Sequence, residues 1–196
     1  MTQNLLGAGV FLIQTFAGLY LILLVLRFLM QLSRVDYYNP ICQAIVKVTD
    51  PPVRPLKKIL PTIRGVDVST LFVTLIVQLL AISIVMFIGG YAFHPVYIAW
   101  SLVGLLSTIF KIYYFSLIIM VIVSWVAPYS THPAMALVNQ LTEPVCKPAR
   151  KLLPPMGGMD FSIILVFVAI TLIDSYLIIR PLASMLGIPQ GLVLGL

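Results

Sequence analysis

Apolar residues fall along this chain in four long blocks separated by polar segments. Leu5 to Leu26 is uncharged, with Gln14 and Thr15 its most polar members, and Val68 to Ile88 is uncharged too. A third block runs from Ile98 to Val126, interrupted by Lys111, and a fourth from Phe161 to Ile179, interrupted by Asp174. A span needs about 20 residues at 1.5 Å rise each, so every block is long enough for one helix. Their length and lack of period-two alternation argue against an outer-membrane barrel. The pattern predicts an all-α membrane protein with four transmembrane helices. The third block reads either as one long tilted helix or as an interfacial segment over 96–108 followed by a span starting near Lys111.

The connections after blocks one and three carry a second pattern. Asn39 precedes Pro40 and His132 precedes Pro133, as a cap residue precedes a proline at the first helical position. Ile41, Ala44, Ile45 and Val48 then recur at helical spacing, as do Ala134, Leu137, Val138 and Leu141. Each set predicts one apolar stripe on a short amphipathic helix. The acid of Thr49-Asp50-Pro51 or Thr142-Glu143-Pro144 reads as the start of a second short turn, where its charge suits the positive helix end. Arg54, Lys57 and Lys58, like Lys147, Arg150 and Lys151, are spaced to share a face, with Leu56, Ile59 and Leu60 pointing the other way into lipid. Such a basic hairpin should lie in the membrane plane with its cations among anionic headgroups.

The two connections repeat. Sliding the chain against itself by 93 residues aligns Asn39-Pro40 with His132-Pro133 and Thr49-Asp50-Pro51 with Thr142-Glu143-Pro144, without gaps. The same shift sets Arg54-Pro55 on Lys147-Pro148, Lys57-Lys58 on Arg150-Lys151, Leu60-Pro61 on Leu153-Pro154, and Gly65 and Asp67 on Gly158 and Asp160. The unit is span, loop, span, used twice over residues 1–93 and 94–196. Two passages per unit make it a parallel repeat.

Composition sharpens the class. Of 196 residues 61% are apolar and 9% charged, against roughly 25% charged in soluble chains, so the surplus apolar surface must face lipid. Loop one holds Arg34, Lys47, Arg54, Lys57, Lys58 and Arg64, and loop three Lys147, Arg150 and Lys151. The connection from Gly89 to Tyr97 and the amino-terminal tail hold none, and the carboxyl-terminal tail holds only Arg180. Short-loop Lys/Arg bias then places loops one and three in the cytoplasm and both termini outside, which is the periplasm in a Gram-negative bacterium. Trp125 and Tyr129 inside, and Tyr91, Tyr97 and Trp100 outside, are read as interfacial aromatics. The first block lacks the basic start and small-residue cleavage site of a signal peptide. Cys42 and Cys146 form no CxxC and are read as free thiols.

The stretches Asn39-Pro40, Thr49-Asp50-Pro51 through Pro61, Ser124-Trp125, Glu143-Pro144 through Pro154 and Gly157-Gly158-Met159-Asp160 resemble the repeat of the bacterial YggT family. Two copies cover nearly the whole chain. The resemblance implies a small inner-membrane protein without established enzymatic activity. It also implies links to osmotic stress and potassium uptake, to cell division and nucleoid organisation, and in chloroplasts to cytochrome cofactor assembly. The first copy departs from the second in having Gln31-Leu32 where the second has Ser124-Trp125.

An ionisable group at membrane depth is costly and usually partnered. Lys111 lies fifteen residues before Val126 and Asp174 fourteen after Asp160, about 22 and 21 Å from the inner boundary by helix rise. The matched depths predict that the two pair. Arg27, near the inner end of span one, is expected to snorkel, with Asp67 as a candidate partner. Gln14 and Gln78 are candidates for hydrogen bonds between helices.

Two functions fit these features. One is a scaffold or assembly factor presenting basic hairpins to anionic lipid headgroups or to a membrane or cytosolic protein. The other is an ion transport protein or channel component, with potassium as the candidate ion. Gly89-Gly90-Tyr91 only superficially echoes a potassium filter, and those glycines suit a helix end better. An enzyme is the weakest reading, since His94 and His132 fall on opposite sides and each is better suited to capping before a proline. No catalytic or nucleotide motif occurs, so no cofactor or metal is called for and no nucleic acid is expected. Four spans make a thin bundle, and self-association would suit it.

Overall fold

A computed structural model describes residues 2–63, 65–127, 130–153 and 160–193. Arg64, Tyr129, Pro154, Gly157, Gly158 and Met159 from the sequence reading lie outside the described residues. Helix α1 (Thr2–Leu32) is followed by α2 (Pro40–Leu56), a short antiparallel pair β1 (Thr62–Ile63) and β2 (Val66–Asp67), and α3 (Val68–Ile88). The second half repeats the order with α4 (Val96–Val126), α5 (Pro133–Leu152) and α6 (Ser162–Leu172). A π-helical turn over Ile173–Leu177 joins α6 to α7 (Ile179–Met185). Four helices are long and apolar enough to cross a membrane, over Leu5–Leu32, Val68–Ile88, Val96–Val126 and Ser162–Met185. The four predicted spans are therefore present, and the third is one continuous helix of 31 residues with no separate interfacial segment.

Helix ends follow local chemistry. Asn39 Oδ1 accepts from the Ile41 N–H at 2.9 Å, and His132 Nδ1 accepts from the Ala134 N–H at 3.2 Å, so both cap a helix that opens on proline. Gly90, at φ +83°, ends α3 with the Tyr91 N–H reaching back to the Met86 carbonyl and its own N–H to Phe87, a Schellman arrangement. The same bonding ends α1 after Leu32, yet there the left-handed residue is Arg34, at φ 52°.

The loop helices depart from expectation. The acid-proline steps start no second turn: α2 runs through Pro51, Pro52 and Pro55, and α5 through Pro144 and Pro148. Pro51, Pro55, Pro144 and Pro148 are all exposed, so a carbonyl that loses its N–H partner there can turn to solvent. The buried stripe of α2 is Cys42, Ile45, Thr49 and Val53, while Ala44 and Val48 of the predicted stripe are exposed. That of α5 is Leu137, Leu141, Thr142, Cys146 and Ala149. Both stripes pack on the ends of the spans: Cys42, Ile45, Leu137, Leu141, Cys146 and Ala149 share a core with Val25, Leu29, Met30, Tyr113 and Leu117, and Val53 packs with Leu24 and Val73. Ile59 and Leu152 remain exposed beyond that core. Asn39 Nδ2 donates to the Pro133 carbonyl at 2.7 Å, joining the two loop helices across the repeat.

At the opposite end, Tyr97 and Trp100 are buried against Ile82 and Val193, with Trp100 Nε1 donating to the Leu186 carbonyl at 3.0 Å. Of the three outer aromatics predicted to be interfacial, only Tyr91 is exposed; the other two anchor the carboxyl-terminal segment. Cys42 and Cys146 are free and buried.

Candidate functional site

Charged side chains organise the end of the bundle that carries the loop helices. Asp67 Oδ2 and Lys57 Nζ lie 3.0 Å apart, and 93 residues later Asp160 Oδ2 and Arg150 Nε lie 2.8 Å apart. Each acid also receives the N–H of a residue just downstream, Thr70 at 3.1 Å and Ser162 at 3.1 Å, and bonds that residue's hydroxyl. A basic residue on each loop helix is thus latched to the start of the next span. Burial pushes both carboxyls up, and the hydrogen bonds outweigh it. Lys57 and Thr70 hold Asp67, and Ser162 and Arg150 hold Asp160, below the usual carboxylate range. The Asp160 bond raises Arg150 further against its desolvation, with help from Glu143 at 2.7 Å.

The first copy adds a contact the second lacks. Arg27 is buried, not snorkelling, and its guanidinium bonds Asp50 Oδ1 at 3.0 Å, Thr49 Oγ1 at 3.0 Å and the Val46 carbonyl at 3.3 Å. Asp50, not Asp67, is its partner. The 93-residue shift puts Met120 in its place, and there Thr142 Oγ1 points at the Met120 sulfur at 3.6 Å. Glu143, the counterpart of Asp50, turns to Arg150 instead.

With Lys57 and Arg150 engaged, the exposed cations of the loop helices and of the turn after α2 are Lys47, Arg54, Lys58, Lys147 and Lys151, which carry no ion pair among the described residues. Lys47, Arg54 and Lys58 line a shallow groove of 460 Å³ with Asp50, Pro51 and Pro55.

Lys111 and Asp174 are brought to the walls of one cavity between α4 and the last span, as their depths suggested, but form no ion pair within 4.0 Å. Arg180 joins them. Sequence reasoning placed Arg180 in a tail, whereas the final apolar helix runs on to Met185 and takes it in. The π turn that carries Asp174 left no mark in the apolar pattern. Gln14 Nε2 donates to the Gly191 carbonyl at 3.1 Å, so it ties α1 to the carboxyl-terminal segment. Gln78 is buried, and its Nε2 has no hydrogen-bond partner among the described residues.

The CCB3/YggT family profile matches residues 6–88 and again 99–181, both ends shifted by the same 93 residues that align the loops. The chain belongs to the CCB3/YggT family. Its relatives include an uncharacterized protein of Pseudomonas aeruginosa, 43% identical over 188 residues that cover 94% of this chain and 95% of that one. The uncharacterized protein YggT of Escherichia coli is 38% identical over 152 residues, covering 78% and 79%. A protein of Vibrio alginolyticus is 32% identical over 163 residues, covering 82% and 88%. No solved structure gives a significant match. Family membership and the four apolar helices make this a membrane protein with an internal repeat.

Proposed function

We propose that the protein is a non-enzymatic scaffold of the bacterial inner membrane that holds two basic helices rigidly on its cytoplasmic face. There they meet anionic lipid headgroups and an acidic surface of a membrane or cytosolic protein. The observation that carries this reading is the division of labour among the cations. Lys57 and Arg150 fix the helices to the spans, while Arg54, Lys58, Lys147 and Lys151 stay exposed. A helix lying loosely on lipid would need no such latch. Near an anionic leaflet each exposed cation contributes about 1 kcal/mol, so a fixed set of four is a substantial anchor. Positive charge beside the spans also supports the orientation with both termini periplasmic. Osmotic tolerance and cell division are settings in which a scaffold of this kind would act.

Replacing Arg54, Lys58, Lys147 and Lys151 by Gln, with Lys57 and Arg150 kept, tests the reading. The phosphatidylglycerol that copurifies in mild detergent should fall about two-fold or more relative to phosphatidylethanolamine, with the unfolding midpoint unchanged. An unaltered lipid ratio would sink it. The charges at mid-bundle favour a second reading, ion transport. Potassium flux into proteoliposomes that disappears in Asp174→Asn would put that reading in place of the scaffold.

A further inference from the structure

The 93-residue shift that aligns the loops also aligns two grooves. In the first copy Ala17, Gly18, Gln78 and Ala81 line a small space between α1 and α3, and Gly191, Leu192 and Val193 lie in it. The equivalent positions in the second copy are Phe110, Lys111, Thr171 and Asp174, which line a cavity of 280 Å³ between α4 and the last span. Where the first copy has Gly18 and Ala81 the second has a cation and an acid. Helices α1 and α3 pack against each other more extensively than α4 packs against the last span, and the second groove stays open. An adjoining cavity of 440 Å³ shares Lys111, Asp174 and Arg180 and extends past Ser184 to Pro189 and Gln190, at the end away from the loop helices.

Two features give this groove the character of a site. Asp174 stands on a π-helical turn, a distortion found mostly where function demands it. Its Oδ1 is buried without a hydrogen-bond partner among the described residues, which costs free energy unless a donor arrives. The same walls carry two cations, Lys111 and Arg180, that are in no ion pair among the described residues. A buried acceptor wants a donor, and two cations want an anion. One small molecule bearing an ammonium and a carboxylate satisfies both, and a space of this size suits it.

We propose that the groove between α4 and the last span binds a small water-soluble zwitterion, its ammonium at Asp174 and its carboxylate between Lys111 and Arg180, reached from the end opposite the loop helices. This goes beyond the scaffold reading and uses none of its residues. The chemistry is shared with the headgroup of phosphatidylethanolamine, but a groove that continues into an adjoining cavity past Ser184 to Pro189 and Gln190 favours the free solute.

The test uses the full chain in nanodiscs of phosphatidylglycerol alone, with glycine, β-alanine and γ-aminobutyrate as probes and acetate and methylamine as half-probes. Thermal unfolding and titration calorimetry are the readouts. At least one zwitterion should raise the midpoint saturably, and each half-probe should bind about ten-fold more weakly. Asp174→Asn should weaken the zwitterion and spare acetate, whereas Lys111→Gln and Arg180→Gln should weaken both. Ala183→Trp narrows the outer cavity without touching a charge and should abolish binding, which keeps the test decisive if Asp174→Asn does not fold. No saturable binding of any zwitterion overturns the proposal, as does binding that survives all four variants. Stabilisation by phosphatidylethanolamine nanodiscs alone would assign the groove to lipid and overturn it as well.

Discussion

Arg27 shows how one side chain can be read for type and missed for place. A cation one residue past an uncharged block suggests snorkelling, with Asp67 as a candidate partner. Thr49 and Asp50 lie on a continuous α2, which carries them back onto α1, so the guanidinium is met from inside the protein. Removing one partner of a buried pair costs about 3–5 kcal/mol, and the part-exposed Asp50 reduces this, so Arg27→Ala should cost about 2 kcal/mol or more. The second copy supplies its own control, because Met120 fills the equivalent position against Thr142. Arg27→Met combined with Asp50→Ala should therefore recover most of the loss. Unfolding midpoints of the wild type and these two variants in one detergent measure this. A double variant no better than Arg27→Ala would show that the guanidinium's own hydrogen bonds to Thr49 and the Val46 carbonyl, which Met cannot replace, set the cost.

At the scale of elements, spans were legible because length and apolarity decide them, and both caps were legible because Asn39 and His132 precede prolines at a recurring place. The loop helices were half legible. Internal prolines normally end a helix, at about 3 kcal/mol each, so Pro51 and Pro144 read as breaks. Sequence could not show that they lie on the exposed side of helices held down by Cys42, Ile45 and Val53, or by Leu141 and Cys146. Nor could it separate the latching Lys57 and Arg150 from their free neighbours, since an ion pair ten residues apart needs the intervening turn. These latches predict a pH dependence. Asp67 and Asp160 titrate below the usual carboxylate range when folded. Their contribution is therefore complete above the unfolded value, about 4, and is lost as pH falls through the depressed folded values. Midpoints recorded from pH 7 down to pH 3 should fall for the wild type. The Lys57→Gln, Arg150→Gln double variant should start lower at pH 7 and fall less. Parallel curves would mean the latches add nothing in the acid range.

The whole molecule is a repeat whose two halves differ in how their grooves are filled, and Gly104 marks where the difference is enforced. A Cβ on Gly104 would stand 1.9 Å from Gln78 Nε2 and 2.2 Å from Val193 Cγ1. The missing methyl lets α3, α4 and the carboxyl-terminal segment meet at one point, with Val193 buried and Gln78 pressed in beside it. The segment that fills the first copy's groove is thus held by the second copy's first helix. Nothing in the apolar pattern marks this, because a glycine in a span signals close approach without naming what approaches. Gly104→Ala must displace the buried Gln78 amide or push Val193 out, and overpacking of this kind costs about 1–3 kcal/mol. Shortening the opposing side chain should relieve it, so Gly104→Ala with Val193→Ala should lose less than the two single changes sum to. The same displacement should free the segment. A thiol reagent should label Val193→Cys slowly in an otherwise unchanged chain and several times faster beside Gly104→Ala. Equal labelling in both would mean that the segment is held elsewhere, by the Trp100 bond to the Leu186 carbonyl and the Gln14 bond to the Gly191 carbonyl.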